Sequence, residues 1–101
     1  PEYYAFDEEA AGSINPKLES ATDKYEYNPD AGIAFGMVEW RVLIKQSRRI
    51  LVKIEASYLT AYRGLQDFDP EHVRIFYEHL APSQSYPYFR QFVAQKSADA
   101  E

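Results

Sequence analysis

Residues 38–65 read VEWRVLIKQSRRILVKIEASYLTAYRGL, and the reading of this stretch decides the fold. Two runs of alternating apolar residues flank a polar break at Gln46, Ser47, Arg48 and Arg49, which predicts an antiparallel hairpin. In the first run Val38, Trp40, Val42 and Ile44 share a face, with Glu39, Arg41 and Lys45 opposite and Leu43 as the exception. In the second run Ile50, Val52, Ile54, Ala56, Tyr58, Thr60 and Tyr62 share one face. Leu51, Lys53, Glu55, Ser57, Leu59, Ala61 and Arg63 share the other. Each strand therefore presents an apolar face that requires a cover.

Working outward, residues 33–46 extend the first strand back to a turn at Asn28-Pro29-Asp30-Ala31-Gly32, whose residue types favour tight bends. Gly36 interrupts that strand and predicts a bulge, with the apolar face switching there from odd to even positions. Residues 18–27 have the length of a strand but are polar, which predicts an edge position. Residues 1–16 mix aromatics, acids, Gly12 and Pro16 without a period and read as an N-terminal arm.

Downstream of Gly64 the chemistry changes to helix. Asp69, Pro70 and Glu71 supply an N-cap, a first-turn proline and a first-turn acid. Val73, Phe76, Tyr77 and Leu80 follow at the spacing of a buried helix face. Pro82 predicts a break, and a second helix over residues 85–95 carries Tyr86, Phe89, Phe92 and Val93. Residues 97–101 are small and polar and are expected to fray as a tail. The fold class is α+β: an antiparallel sheet of three to four strands followed by helices packed on one face, in a single domain over residues 17–96. Helices this short leave part of two long strands uncovered, so apolar surface is left for another chain.

A compact chain of this length has a radius of gyration of roughly 13 Å. Its nine Tyr and six Phe lean toward half-wet contact surfaces. The absence of Cys excludes disulfides, thiolate metal sites and Cys nucleophiles. No apolar run reaches the ~18 residues of a spanning helix, and the acidic N-terminus is unlike a secretory signal, so a soluble cytoplasmic protein is expected. The net charge of −5 is unevenly spread. Arg41, Lys45, Arg48, Arg49, Lys53 and Arg63 make the hairpin basic between acidic flanks. Basic residues at outward positions and at a turn are ordinary edge protection. Net acidity, and aromatics committed to the core face, argue against nucleic acid.

The search for chemistry returns no enzyme. His72 and His79 lie seven apart without a third ligand at metal spacing. No carboxylate pair is marked as buried, the glycines are isolated, and Ser47, Ser57 and Ser83 lack a nucleophile context. No metal or other cofactor is expected.

The most distinctive run is Ala81-Pro82-Ser83-Gln84-Ser85-Tyr86-Pro87-Tyr88-Phe89-Arg90. A Pro, a short spacer and then Tyr86-Pro87-Tyr88-X-Arg90 resembles the start of the long helix in SecB-type chaperones. Gln91 stands where that family usually has Glu. The hairpin, with its Gly64-Leu65 ending, and residues 15–18 are similar to the same family, so the resemblance covers about residues 15–95. It implies a four-stranded sheet with a helix, assembled as a dimer of dimers. It also implies an ATP-independent holdase for protein folding and transport, binding unfolded polypeptides through apolar grooves. The family's export motor docks on a Leu-X-Glu pair. Leu51 matches, but Lys53 replaces the acid, which argues against motor docking and toward divergent members dedicated to an antitoxin in toxin–antitoxin systems.

The residues expected to line a client groove are Tyr25, Tyr27, Phe35, Met37, Tyr62, Phe76 and Tyr86, aromatic or soft and placed at strand ends or helix edges. Leu51 and Lys53 mark the partner-docking face. The competing reading is a small adaptor that binds a folded acidic partner through its basic hairpin face.

Overall fold

The computed structural model describes residues 4–7 and 14–99. Four strands, β1 (Tyr4–Asp7), β2 (Ile14–Asn28), β3 (Ile33–Gln46) and β4 (Arg49–Tyr62), precede one helix, α1 (Pro70–Asp99). The layout is α+β: an antiparallel meander in the order β1-β2-β3-β4, with the helix packed on one face. Segment 4–7 of the expected arm forms β1 against residues 17–20 of β2; the rest of that arm before Ile14 lies outside the described residues. β2 is thus internal over its first part and an edge only from Ala21 onward, among the described residues.

Local chemistry explains the joints. Asn28 Oδ1 accepts from the backbone N–H of Asp30 and of Ala31, each at 3.1 Å, and Gly32 takes the left-handed φ of 68° that closes the turn. Ser47 and Arg48 make the two-residue hairpin turn between the paired Gln46 and Arg49. Asp69 caps the helix as expected, its Oδ1 accepting from Glu71 N at 2.9 Å.

Two sheet irregularities correct the reading of the sequence. β3 keeps its even residues Ala34, Gly36, Val38 and Trp40 buried without any switch at Gly36. The bulge sits instead on β2, where the register jumps between Asp23 and Glu26 and Lys24 adopts φ 55°. It moves the inward face of β2 from Leu18, Ser20 and Thr22 to Tyr25 and Tyr27. A second shift opposes Ile50 to Lys45, so Ile50 leaves the even face assigned to it.

α1 is one helix rather than two. Pro82 and Pro87 cannot donate to the carbonyls of Glu78 and Ser83, but both of those residues are exposed, where solvent can satisfy the freed oxygens. The helix runs on to Asp99, through the first residues of the expected tail; Ala100 and Glu101 lie outside the described residues. Its buried line is Val73, Tyr77, Ala81, Ser85 and Phe89, every fourth residue. Each such step overshoots a full turn by about 40°, so the line winds round the helix as it crosses the twisted sheet. Phe76 falls beside this line and is 43% exposed, which corrects its assignment to the core.

The core is Ala34, Val38 and Trp40 against Val73, Tyr77, Ala81 and Phe89. Trp40 stacks on Phe89 at 5.8 Å and donates Nε1–H to Ser85 Oγ at 2.8 Å; Ser85 in turn donates to the Pro82 carbonyl at 3.2 Å. On the opposite face Glu19 is buried and bound by Arg41 Nε at 2.7 Å. The radius of gyration is 16.4 Å, with extents of 52 × 25 × 17 Å. That exceeds the roughly 13 Å of a compact chain of this length, because strands of 14 and 15 residues lie side by side in one sheet under a single helix of 30 residues.

Candidate functional site

The open side of the molecule lies along β4. Among the described residues no strand pairs with its outer edge. Tyr58, Thr60 and Tyr62 alternate toward the helix, and Gln84, Ser85 and Tyr88 face them from α1. Between them runs a groove of about 700 Å³. Its floor is ordered by side-chain contacts. Tyr62 donates to Gln84 Oε1 at 2.7 Å and meets Phe76 and Tyr77 edge-on at 5.6 and 5.9 Å, while Tyr58 lies 6.4 Å from Tyr88. Burial pushes the phenols of Tyr58 and Tyr62 above their ordinary range, so both are neutral hydrogen-bonding groups at physiological pH. Tyr88 (66% exposed) forms an aromatic lip on the helix side.

Such a site combines backbone N–H and C=O groups along a free edge with aromatic walls. An extended peptide can pair with the edge and place alternate side chains among the tyrosines. Among the described residues no cluster of three or more His, Asp and Glu is placed to hold a metal ion.

The residues expected to line one groove are distributed over four places. Tyr62 and Phe76 stand together at the end of the β4 groove. Tyr25 and Tyr27 lie across the helix, in a cleft of about 450 Å³ shared with Pro29, Pro70, Glu71 and Arg74. Tyr86 packs 5.2 Å from Trp40 and borders a shallow hollow of about 220 Å³ beside Arg90 and Ala94. Phe35 and Met37 sit at odd positions of β3, on the face away from the helix, opposite Ala61 and Leu59 of β4. The groove instead uses Tyr58, Thr60, Gln84 and Tyr88, which were not among the expected residues. The signal for two of them was present: Tyr58 and Tyr62 recur on one strand face, and Tyr88 lies in the Tyr-Pro-Tyr run. Leu51 and Lys53 are exposed near the hairpin, Lys53 paired with Glu55 at 2.6 Å.

Compared with protein-family models, curated proteins and solved structures, the chain matches none of them. Among the described residues no helix is long and apolar enough to cross a membrane.

Proposed function

We propose that the protein is an ATP-independent holdase that binds unfolded or partly folded polypeptide along the free edge of β4. The observation that carries this reading is the 700 Å³ groove between α1 and β4, lined by Tyr58 and Tyr62 of the strand and Tyr88 of the helix, beside a strand edge that no other strand pairs among the described residues. A holdase has to accept many sequences. Backbone pairing and amphipathic tyrosine walls are indifferent to sequence, and binding of this kind needs no cofactor. The likeness of the Tyr86–Arg90 run and the hairpin to SecB-type chaperones supports the same reading. It extends the proposal to a cytoplasmic homo-oligomer, a dimer of dimers, and in its narrower form to a dedicated antitoxin client. The adaptor reading draws less support: Arg41 is tied to Glu19 and Lys53 to Glu55, which reduces the charge a basic hairpin face offers.

The test is suppression of aggregation of a denatured client at stoichiometric ratios. The wild-type chain is expected to suppress it. Tyr88→Ala, at an exposed position, is expected to lose several-fold in potency with the fold unchanged by circular dichroism. Unchanged aggregation with the wild-type protein refutes the proposal. Mass spectrometry of co-purifying polypeptides distinguishes a dedicated client from general ones.

A further inference from the structure

Across α1 from the β4 groove, the outer edge of β2 is also unpaired from Ala21 onward among the described residues. Two clefts follow this side of the helix and share Arg74. One, of about 520 Å³, lies between Ser20 and Thr22 of the strand and His79 and Pro82 of α1. The other, of about 450 Å³, is lined by Tyr25, Tyr27, Pro29, Pro70, Glu71 and Arg74. We infer that the second cleft takes a proline-rich segment of another polypeptide in the polyproline II conformation, with an arginine or lysine of that segment beside Glu71.

The edge here is a poor template for an added strand. The register jumps between Asp23 and Glu26, and Lys24 takes a left-handed φ of 55°. A bulge of this kind bends the strand and breaks the even run of outward N–H and C=O groups that a β-ladder needs. A polyproline II segment asks for no ladder: its prolines have no N–H, and it has no internal hydrogen bonds. It docks through its apolar ridges against aromatic walls, and because it is extended before it binds it loses little conformational entropy.

The walls fit such a ligand. The same bulge turns Tyr25 and Tyr27 to the helix side, two residues and so about 6.6 Å apart along the strand. Residues two apart in polyproline II are separated by about 6.2 Å, so ridges of the ligand meet successive rings. Both tyrosines are set in advance. Tyr27 Oη donates to the Leu65 carbonyl, and the Tyr25 ring is held 5.0 Å from that of the fully buried Tyr77. Little ordering cost is left for binding. From Pro70 to Pro82 the helix rises about 18 Å, the length of about six polyproline II residues, so a longer ligand runs on into the polar cleft.

The charges complement a basic ligand. Arg74 Nε is paired with Glu78 at 3.1 Å, whereas Glu71 is exposed and has no ion pair among the described residues. The cleft therefore sets one uncompensated carboxylate beside its apolar rings.

Fluorescence anisotropy with a labelled oligoproline peptide ending in arginine tests the inference. It uses no denatured client, so its outcome is separate from that of the holdase reading. Saturable binding is expected, weakened about two- to fivefold when glutamate replaces the arginine. Glu71→Lys, at an exposed position, is expected to reverse that preference with the fold unchanged by circular dichroism. Tyr27→Ala is expected to lose most of the binding, and Tyr27→Phe, which keeps the ring, to retain it. Amide NMR shifts on titration are expected at residues 24–30 and 70–75. Four results each overturn the inference: no saturable binding, an unchanged preference in Glu71→Lys, shifts centred on residues 58–62, or the same shifts from a β-forming valine–threonine peptide ending in arginine.

Discussion

Gly36 is where three structural demands meet, and Gly36→Ala is the most informative single substitution. A Cβ there lies 2.7 Å from the Tyr77 hydroxyl, 3.1 Å from Tyr77 Cζ and 3.1 Å from the Tyr25 Cα. The first distance is about 0.7 Å short of the 3.4 Å at which ordinary contact begins. Tyr77 cannot retreat freely. It is fully buried, its hydroxyl is hydrogen-bonded to Thr60, and its ring is held by Tyr25 at 5.0 Å and Tyr62 at 5.9 Å. Overpacking of this kind costs about 1–3 kcal/mol, and loss of the Thr60 bond adds about 1 kcal/mol. Against this, replacing glycine restricts the unfolded chain and stabilises by about 0.4–1 kcal/mol. The steric effect wins, leaving a net loss of about 2 kcal/mol, or a fall in Tm of roughly 8–16 °C for a chain of this size. Tyr77→Phe removes the nearest atom while costing about 1 kcal/mol alone. The double variant is therefore expected to be more stable than the sum of the single losses implies, by about 1 kcal/mol. Urea unfolding of the four proteins measures the coupling. Strict additivity, or a Gly36→Ala loss below about 0.5 kcal/mol, refutes the assignment of Gly36 to the Tyr77 hydroxyl.

Ser85→Ala leaves the buried Trp40 N–H without its acceptor and is expected to cost about 1–3 kcal/mol, whereas Ser85→Thr, keeping the hydroxyl, costs less; chemical denaturation with tryptophan fluorescence reads both. Burial holds the Tyr77 phenol above 10.0, opposed in part by its hydrogen bond with Thr60, and burial raises Tyr25, Tyr58 and Tyr62 as well. The unfolded chain therefore releases these protons first. This contribution to stability is complete below about pH 10 and is lost as pH rises through the folded-state values. The urea midpoint is expected to fall as pH rises above about 10, less steeply in Tyr77→Phe, and an unchanged midpoint contradicts the burial of these phenols.

Much of this architecture is legible in the residues themselves. The alternation in β3 and β4, the Asn28–Gly32 turn and the Asp69 cap are local signals, and each acts where local chemistry places it. What failed to read did so because distant contacts overrule local preference. Pro82 and Pro87 stay helical because packing of Tyr77, Ala81, Ser85 and Phe89 on the sheet outweighs two missing hydrogen bonds. Gly36 looks like a bulge residue, yet the extra residue belongs to the neighbouring strand. Glycine is needed there to admit a tyrosine from the helix, and no window of sequence around Gly36 contains that tyrosine. The groove was legible by residue type and not by place. Strand parity assigns Phe35 and Met37 to the outer face once β3 is known to keep its phase, and helix winding sets Tyr88 rather than Tyr86 beside Tyr58.

The meander has a consequence for how the chain is born. Each described strand pairs with its neighbour in sequence, so each pair can form soon after its second strand is synthesised. The helix comes last, and until residues 73–89 emerge, the ribosome-bound sheet holds Ala34, Val38 and Trp40 open to water. The apolar face of the sheet is thus the first surface of this protein to need a cover, and its own helix is the segment that supplies it.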